Sequence, residues 1–178
     1  MRAWAQMGAA LVLGSMLAAG ASAADSSGTR VYQDPFGDAP CCTLDITRVV
    51  VSADPRKVTF RITAIYPNRP EPESTSDIDI PITTGRGTRF EVANVGSPGF
   101  ELLRWSEKRH NFVPIAPVHV SVRSGHTVFL FSLGRRLLGK PRRFNFSVSF
   151  CACTSFGSNQ DLAPDKGTWG YRIPMVTR

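Results

Sequence analysis

After its first twenty or so residues the sequence has no apolar run that could span a bilayer, which takes about 20 consecutive apolar residues, so no later transmembrane helix is expected. Apolar residues at helical spacing are almost absent; the best candidate, "GRRLLGKP" (Gly134 to Pro141), allows two turns at most before Gly139 and Pro141 stop it. No G-x-S-x-G elbow, H-E-x-x-H pair or phosphate loop occurs, and nothing positions Glu71 and Glu73 as an acid/base pair, so the chain is read as not an enzyme. Histidine is scarce. His110, His119, His126 and Met175 are the axial candidates for haem, none with distinctive spacing, and no haem is expected. Acidic residues are outnumbered by basic ones, 14 against 21, which leaves a formal charge of +7. No aromatics are interleaved with the basic residues, so a nucleic-acid partner is not expected.

What is present at the start is an export signal. "MRAWAQMGAALVLGSMLAAGASAAD" carries one positive charge at Arg2, an apolar run from Gly8 to Ala19, and Ala21-Ser22-Ala23, which fits the small-residue cleavage pattern. Residues 1–23 are expected to be a signal peptide and 24–178 one domain, secreted or held in the periplasm or cell envelope.

Alternation of apolar and polar residues dominates the rest. In "KVTFRITAIY" Val58, Phe60, Ile62 and Ala64 share one face; Ile78, Ile80 and Ile82 do so in "SDIDIPIT", Val118, Val120 and Val122 in "VHVSV", and Phe144, Phe146, Val148 and Phe150 in "RFNFSVSF". "LDITRVVVS", "RFEVANV", "FELLRW" and "TVFLFSL" are further strands, punctuated by turn sequences such as "ADPRK", "TTGRG" and "RSGH". Pro67 to Thr75 reads as a surface loop. The pattern predicts an all-β chain: a single antiparallel β-sandwich of two sheets, jelly-roll-like, with at most one short helical turn.

Four cysteines form two clusters, Cys41-Cys42 and Cys151/Cys153. Export favours disulfides over a four-thiolate metal site, whose usual C-x2-C knuckles are missing, or a catalytic thiol, which would need a nearby base. Links between the clusters are expected, with Cys41–Cys153 and Cys42–Cys151 preferred, on the premise that the strand after Leu44 and the run ending at Phe150 are antiparallel neighbours. That premise would also gather Asp34 and Asp38 of "DPFGDAP" with Asp161 and Asp165 of "DLAPDKG" at one end of the sandwich. Hard oxygen ligands converging from loops suit a structural calcium; the plain alternative is that these aspartates only form turns.

"DPFGDAP…LDITRVVVS…KVTFRIT", "FSLGRRLLG" and "DLAPDKGTWGY" together resemble secreted bacterial β-sandwich domains similar to the family 9 carbohydrate-binding-like and DOMON-like domains. The resemblance implies a two-sheet sandwich in which Asp34 and Asp38 match an early acidic motif that can hold calcium, and Asp161 and Asp165 match a late D-x-A-P-D pattern. Some members of this group bind sugars and some haem. The cysteine clusters are additions to the pattern, and neither Trp105 nor Trp169 lies in a clear paired-aromatic motif of the kind that sandwiches a sugar. The expected function is therefore a secreted, non-catalytic binding or accessory module for carbohydrate or another extracellular ligand, with an extracellular glycan or an anionic envelope polymer as the candidate partners. A structural envelope protein without a small ligand is the alternative, and an enzyme with an unrecognised site the third reading. Arg135, Arg136, Lys140, Arg142 and Arg143 cluster around the short turn and, with Arg104, Lys108 and Arg109, carry much of the positive charge; they read first as a solvated face, with a binding patch for an anionic polymer as the alternative.

Overall fold

The computed structural model describes residues 28–39, 44–65, 78–96, 99–123, 128–154 and 157–174. The expected signal peptide, Cys41, Cys42, the expected surface loop from Pro67 to Thr75 with Glu71 and Glu73, His126 and Met175 lie outside them. Thirteen strands follow in order: β1 (Thr29–Gln33), β2 (Asp45–Ala53), β3 (Lys57–Ile65), β4 (Ile78–Thr84), β5 (Arg89–Asn94), β6 (Phe100–Ser106), β7 (Asn111–Pro117), β8 (His119–Arg123), β9 (Val128–Gly134), β10 (Arg143–Phe146), β11 (Val148–Thr154), β12 (Gly157–Ala163) and β13 (Trp169–Arg172). No helix occurs among the described residues, and none there is long and apolar enough to cross a membrane. Gly134 to Pro141 is a chain of tight turns, closed by Leu137 N–H to Gly134 O (2.9 Å), Gly139 N–H to Arg136 O (3.1 Å) and Lys140 N–H to Arg135 O (2.9 Å).

The strands form two antiparallel sheets, as the alternating pattern predicts. The first runs β1-β2-β3-β9-β8; the second runs β12-β11-β4-β5-β6-β7, with β10 also on β4 and β13 on β10. The alternation of β3 is met in full: Val58, Phe60, Ile62 and Ala64 are buried, while Lys57, Arg61 and Ile65 face out. Between the sheets, Phe60 meets Phe144 and Phe146 at ring-centroid distances of 6.0 and 5.2 Å, and the offset, tilted rings fill the centre of the core. Val122 departs from the reading of "VHVSV", because β8 is an edge strand and leaves it exposed.

The run Arg143–Phe150 is two strands rather than the one expected, and Pro81 supplies the reason. Proline has no N–H to give a sheet, yet Pro81 sits inside β4, with β5 on one side and β10 and β11 on the other. Opposite it the neighbouring chain breaks at Ser147, whose N–H reaches Pro81 O (3.3 Å). The interruption lets β4 keep a proline in a central position.

The neighbour premise is also corrected. β2 pairs with β1 and β3, whereas β11 pairs with β12 and β4, so the Leu44 strand and the Phe150 strand belong to different sheets. Asp161, expected in a loop, lies instead on a strand, β12, held in continuous register with β11 from Val148↔Ala163 to Thr154↔Gly157. Cys151 and Cys153 stand opposite Gln160 and Ser158 in that backbone register. The expected cross-cluster links need Cys41 and Cys42, which lie outside the described residues.

Candidate metal centre

One end of the sandwich is built where β12 meets the start of β2. Asp161 is 2% exposed; on β12 it shares the buried face with Ala163, and its register partner is Phe150. Its Oδ2 accepts the Ile46 N–H at 2.6 Å. The β2–β3 register slips between Ile46 and Arg48, which explains why a backbone N–H there is free to bond a side chain. Asp161 thus links the two sheets directly.

The loop after β1 brings further carboxylates to the same place. Asp34 N–H extends the β1–β2 ladder to Thr47 O (3.1 Å), which sets Asp34 beside the start of β2. The chain then turns through Gly37 at φ 90°, a conformation that favours glycine, and the Gly37 N–H donates to Asp45 Oδ2 at 2.6 Å. Asp38 follows, exposed on the rim. One carboxylate oxygen from each of Asp34, Asp38 and Asp161 lies within 4.8 Å of the others. Asp165, in the exposed turn after β12, is close enough for its carboxyl to hydrogen-bond Asp38.

Electrostatics make this arrangement costly for the protein alone. Burial, with the neighbouring charges of Asp38, Asp161, Asp165 and Asp45 adding to it, pushes the Asp34 carboxyl up to about 8. Asp38 is pushed up to about 6, by desolvation first and then by the Asp165 carboxyl. Burial also raises Asp161, although the Ile46 N–H works against the rise. Among the described residues no Lys or Arg forms an ion pair with these carboxylates; the ion pair Arg89–Glu107 lies elsewhere, on β5 and the β6–β7 turn. Two buried oxygens, Asp34 Oδ2 and Asp45 Oδ1, have no hydrogen-bond partner. Buried carboxylate oxygens normally find a donor, so orphaned ones next to converging carboxylates are free to take a cation, in competition with the proton that the raised carboxyls hold.

The donor set suits calcium. Calcium–oxygen bonds are about 2.3–2.6 Å, so oxygens sharing one ion stand up to about 5 Å apart, in keeping with the observed spread. Asp34, Asp38 and Asp161 would hold the ion, and its charge would offset the mutual repulsion of the carboxylates. Asp165 and Asp45 stand next to this group, Asp165 through its bond to Asp38 and Asp45 through the Gly37 N–H and its charge on Asp34 and Asp161. Asp45 was not singled out in the sequence, where it reads as an ordinary polar start to a strand. Its signal was an aspartate between Leu44 and Ile46, both of which are buried.

Among the described residues the two tryptophans are each engaged by a neighbouring side chain. Trp169 stacks on Tyr32 (5.1 Å, 30°) and packs against Phe146 (5.7 Å). Trp105 lies under the Arg89 guanidinium (4.1 Å) with its edge to Phe112. His119 is exposed on the edge strand β8, and His110 occupies the β6–β7 turn. No family model, curated protein or solved structure matches the chain.

Proposed function

We propose that the protein is an exported, non-catalytic β-sandwich module, of the binding or accessory kind, in which a structural calcium fastens the loop after β1 to both sheets. The observation that carries this reading is the meeting of Asp34, Asp38 and Asp161 within 4.8 Å beside orphaned buried carboxylate oxygens. Three ionised groups in that position repel one another, and a divalent ion converts the repulsion into attraction. The resemblance to carbohydrate-binding-like and DOMON-like sandwiches points the same way, through the early acidic motif at Asp34 and Asp38. A structural ion here holds a loop, two sheets and the turn after β12 in one arrangement, which suits a scaffold that presents a surface to a ligand.

The test is thermal melting of the purified mature chain after chelation, with calcium added back. An ion that binds the folded state alone stabilises it by about 2.7 kcal/mol when its free concentration is a hundredfold above the dissociation constant. A melting temperature that climbs with calcium from micromolar to millimolar, and much less with magnesium, supports the reading, because magnesium demands a tighter octahedral shell. An unchanged melting temperature across that range overturns it.

A further inference from the structure

At the other end of the sandwich the chain carries the opposite charge. β4 begins at Ile78, beside the Phe150 that pairs with Asp161, and ends at Thr84, about 20 Å away at the usual rise per residue. There a cleft of ≈ 510 Å³ opens between the β4–β5 turn and the turns of Gly134 to Pro141. Arg86, Arg104, Arg136, Lys140, Arg142 and Arg143 line it, all are exposed, and no acidic side chain lies on its wall. None of the six has an ion-pair partner among the described residues.

The cleft is built rather than incidental. One wall is the hydrogen-bonded turn series already described, anchored by Leu138, which is 2% exposed, and by Arg135, whose Nη2 donates to Pro141 O (3.1 Å). The opposite wall depends on Gly85. Its N–H donates to Arg143 O (3.1 Å), and a Cβ on it would stand 2.9 Å from Arg143 Cγ and 3.0 Å from Arg143 Nε. The absence of a side chain there lets Arg143 lie across the turn. The frame fixes the backbone positions from which the cations project, so less freedom is lost on binding than from mobile loops.

We infer that this cleft binds an acidic polysaccharide, a polymer bearing uronate, sulfate or phosphate groups, an inference that rests on the binding-module reading and gives it a ligand class. Six unpaired cations over such a volume exceed what one small anion needs, and a polymer with regularly spaced charges engages several at once. Nucleic acid fits less well. Phe90, the aromatic residue of the lining, is 4% exposed, so no ring is free for bases to stack on.

Titration of the calcium-loaded chain with polygalacturonate, with neutral dextran and single-stranded DNA beside it, at low and high salt, tests the inference. Polygalacturonate is expected to bind, with affinity falling as salt rises, and dextran is not. Arg136→Ala with Arg142→Ala should weaken binding about tenfold or more, the scale of losing charge-assisted hydrogen bonds. Arg48→Ala with Arg61→Ala removes equal charge from the outer faces of β2 and β3 and should change binding by less than about twofold. Gly85→Ala should weaken binding by displacing Arg143 while the chain still melts cooperatively. Equal losses from the two double variants, equal binding of dextran, or tighter binding of DNA overturns the assignment. A chain that calcium stabilises but that binds no polyanion overturns the cleft alone; a chain that binds polygalacturonate but ignores calcium overturns the calcium site alone.

Discussion

Replacing Asp34 by Asn separates a metal site from a merely tolerated acidic cluster, because the two predict opposite signs in calcium and in chelator. The fold raises the Asp34 carboxyl from 3.8 to about 8, so keeping it ionised in the calcium-free protein is unfavourable. At 1.36 kcal/mol for each tenfold change, the full difference is about 5–6 kcal/mol. Asp38 at the rim is exposed, and solvent screening there is taken to halve the effective figure, to about 3 kcal/mol. Asp34→Asn removes that charge and keeps the shape, so at pH 8.5 in chelator the variant should melt higher than the parent. A change of 1 kcal/mol shifts the melting temperature by about 2–4 °C in a domain of this size, which makes the expected rise about 6–12 °C. In millimolar calcium the order should invert, since the variant has lost a charged ligand and gains less from the ion. Paired melting curves by circular dichroism in the two buffers are sufficient. If Asp34→Asn shifts the melting temperature in the same direction in both, the carboxylate is not a calcium ligand.

The parent's own pH profile should carry the same signature. Both raised carboxyls, Asp34 at about 8 and Asp38 at about 6, bind protons more tightly folded than unfolded, so calcium-free stability should be greatest near pH 4 and fall as pH rises through 8; saturating calcium should flatten or reverse the slope, and a flat profile in chelator would contradict the repulsion. Phe60→Ala, which empties a position with no exposure between the sheets, should cost about 3–5 kcal/mol by denaturant unfolding, and a loss under 1 kcal/mol would mean that the core is not packed around that ring. Non-reducing peptide mapping of exported protein should join Cys41 or Cys42 to Cys151 or Cys153, and four free thiols would refute the staple.

Strands whose faces are decided by burial were legible in the sequence. β3 and β4 alternate without exception because one face of each meets the other sheet. β12 was not, since "GSNQDLA" has little intrinsic preference for a strand and takes that form by pairing with β11. The break at Ser147 was hidden for a related reason: its cause, Pro81, lies in a different strand more than sixty residues away. Asp34, Asp38, Asp161 and Asp165 stood out because turn sequences surround them. The premise used to gather them, a pairing of β2 with β11, does not hold; the meeting comes from Asp161 reaching across from β12 to the Ile46 N–H. Contacts between sheets leave no periodic trace along the chain. The cleft was half legible, as the basic run from Arg135 to Arg143, whereas Arg86 and Arg104 join it only through the fold.

The Asp161–Ile46 hydrogen bond spans 115 residues of chain, and that separation bears on time as well as on place. During synthesis Asp34, Asp38 and β2 exist long before Asp161 does, so this end of the molecule has to wait for almost the whole domain before it can close. Contacts of such long range tend to form late in folding, after the nucleus that sets the rate. Interactions that appear only after the barrier alter the rate of opening and leave the rate of folding nearly untouched. An ion bound at this end would therefore act as a latch, lengthening the life of the finished protein without hastening its assembly.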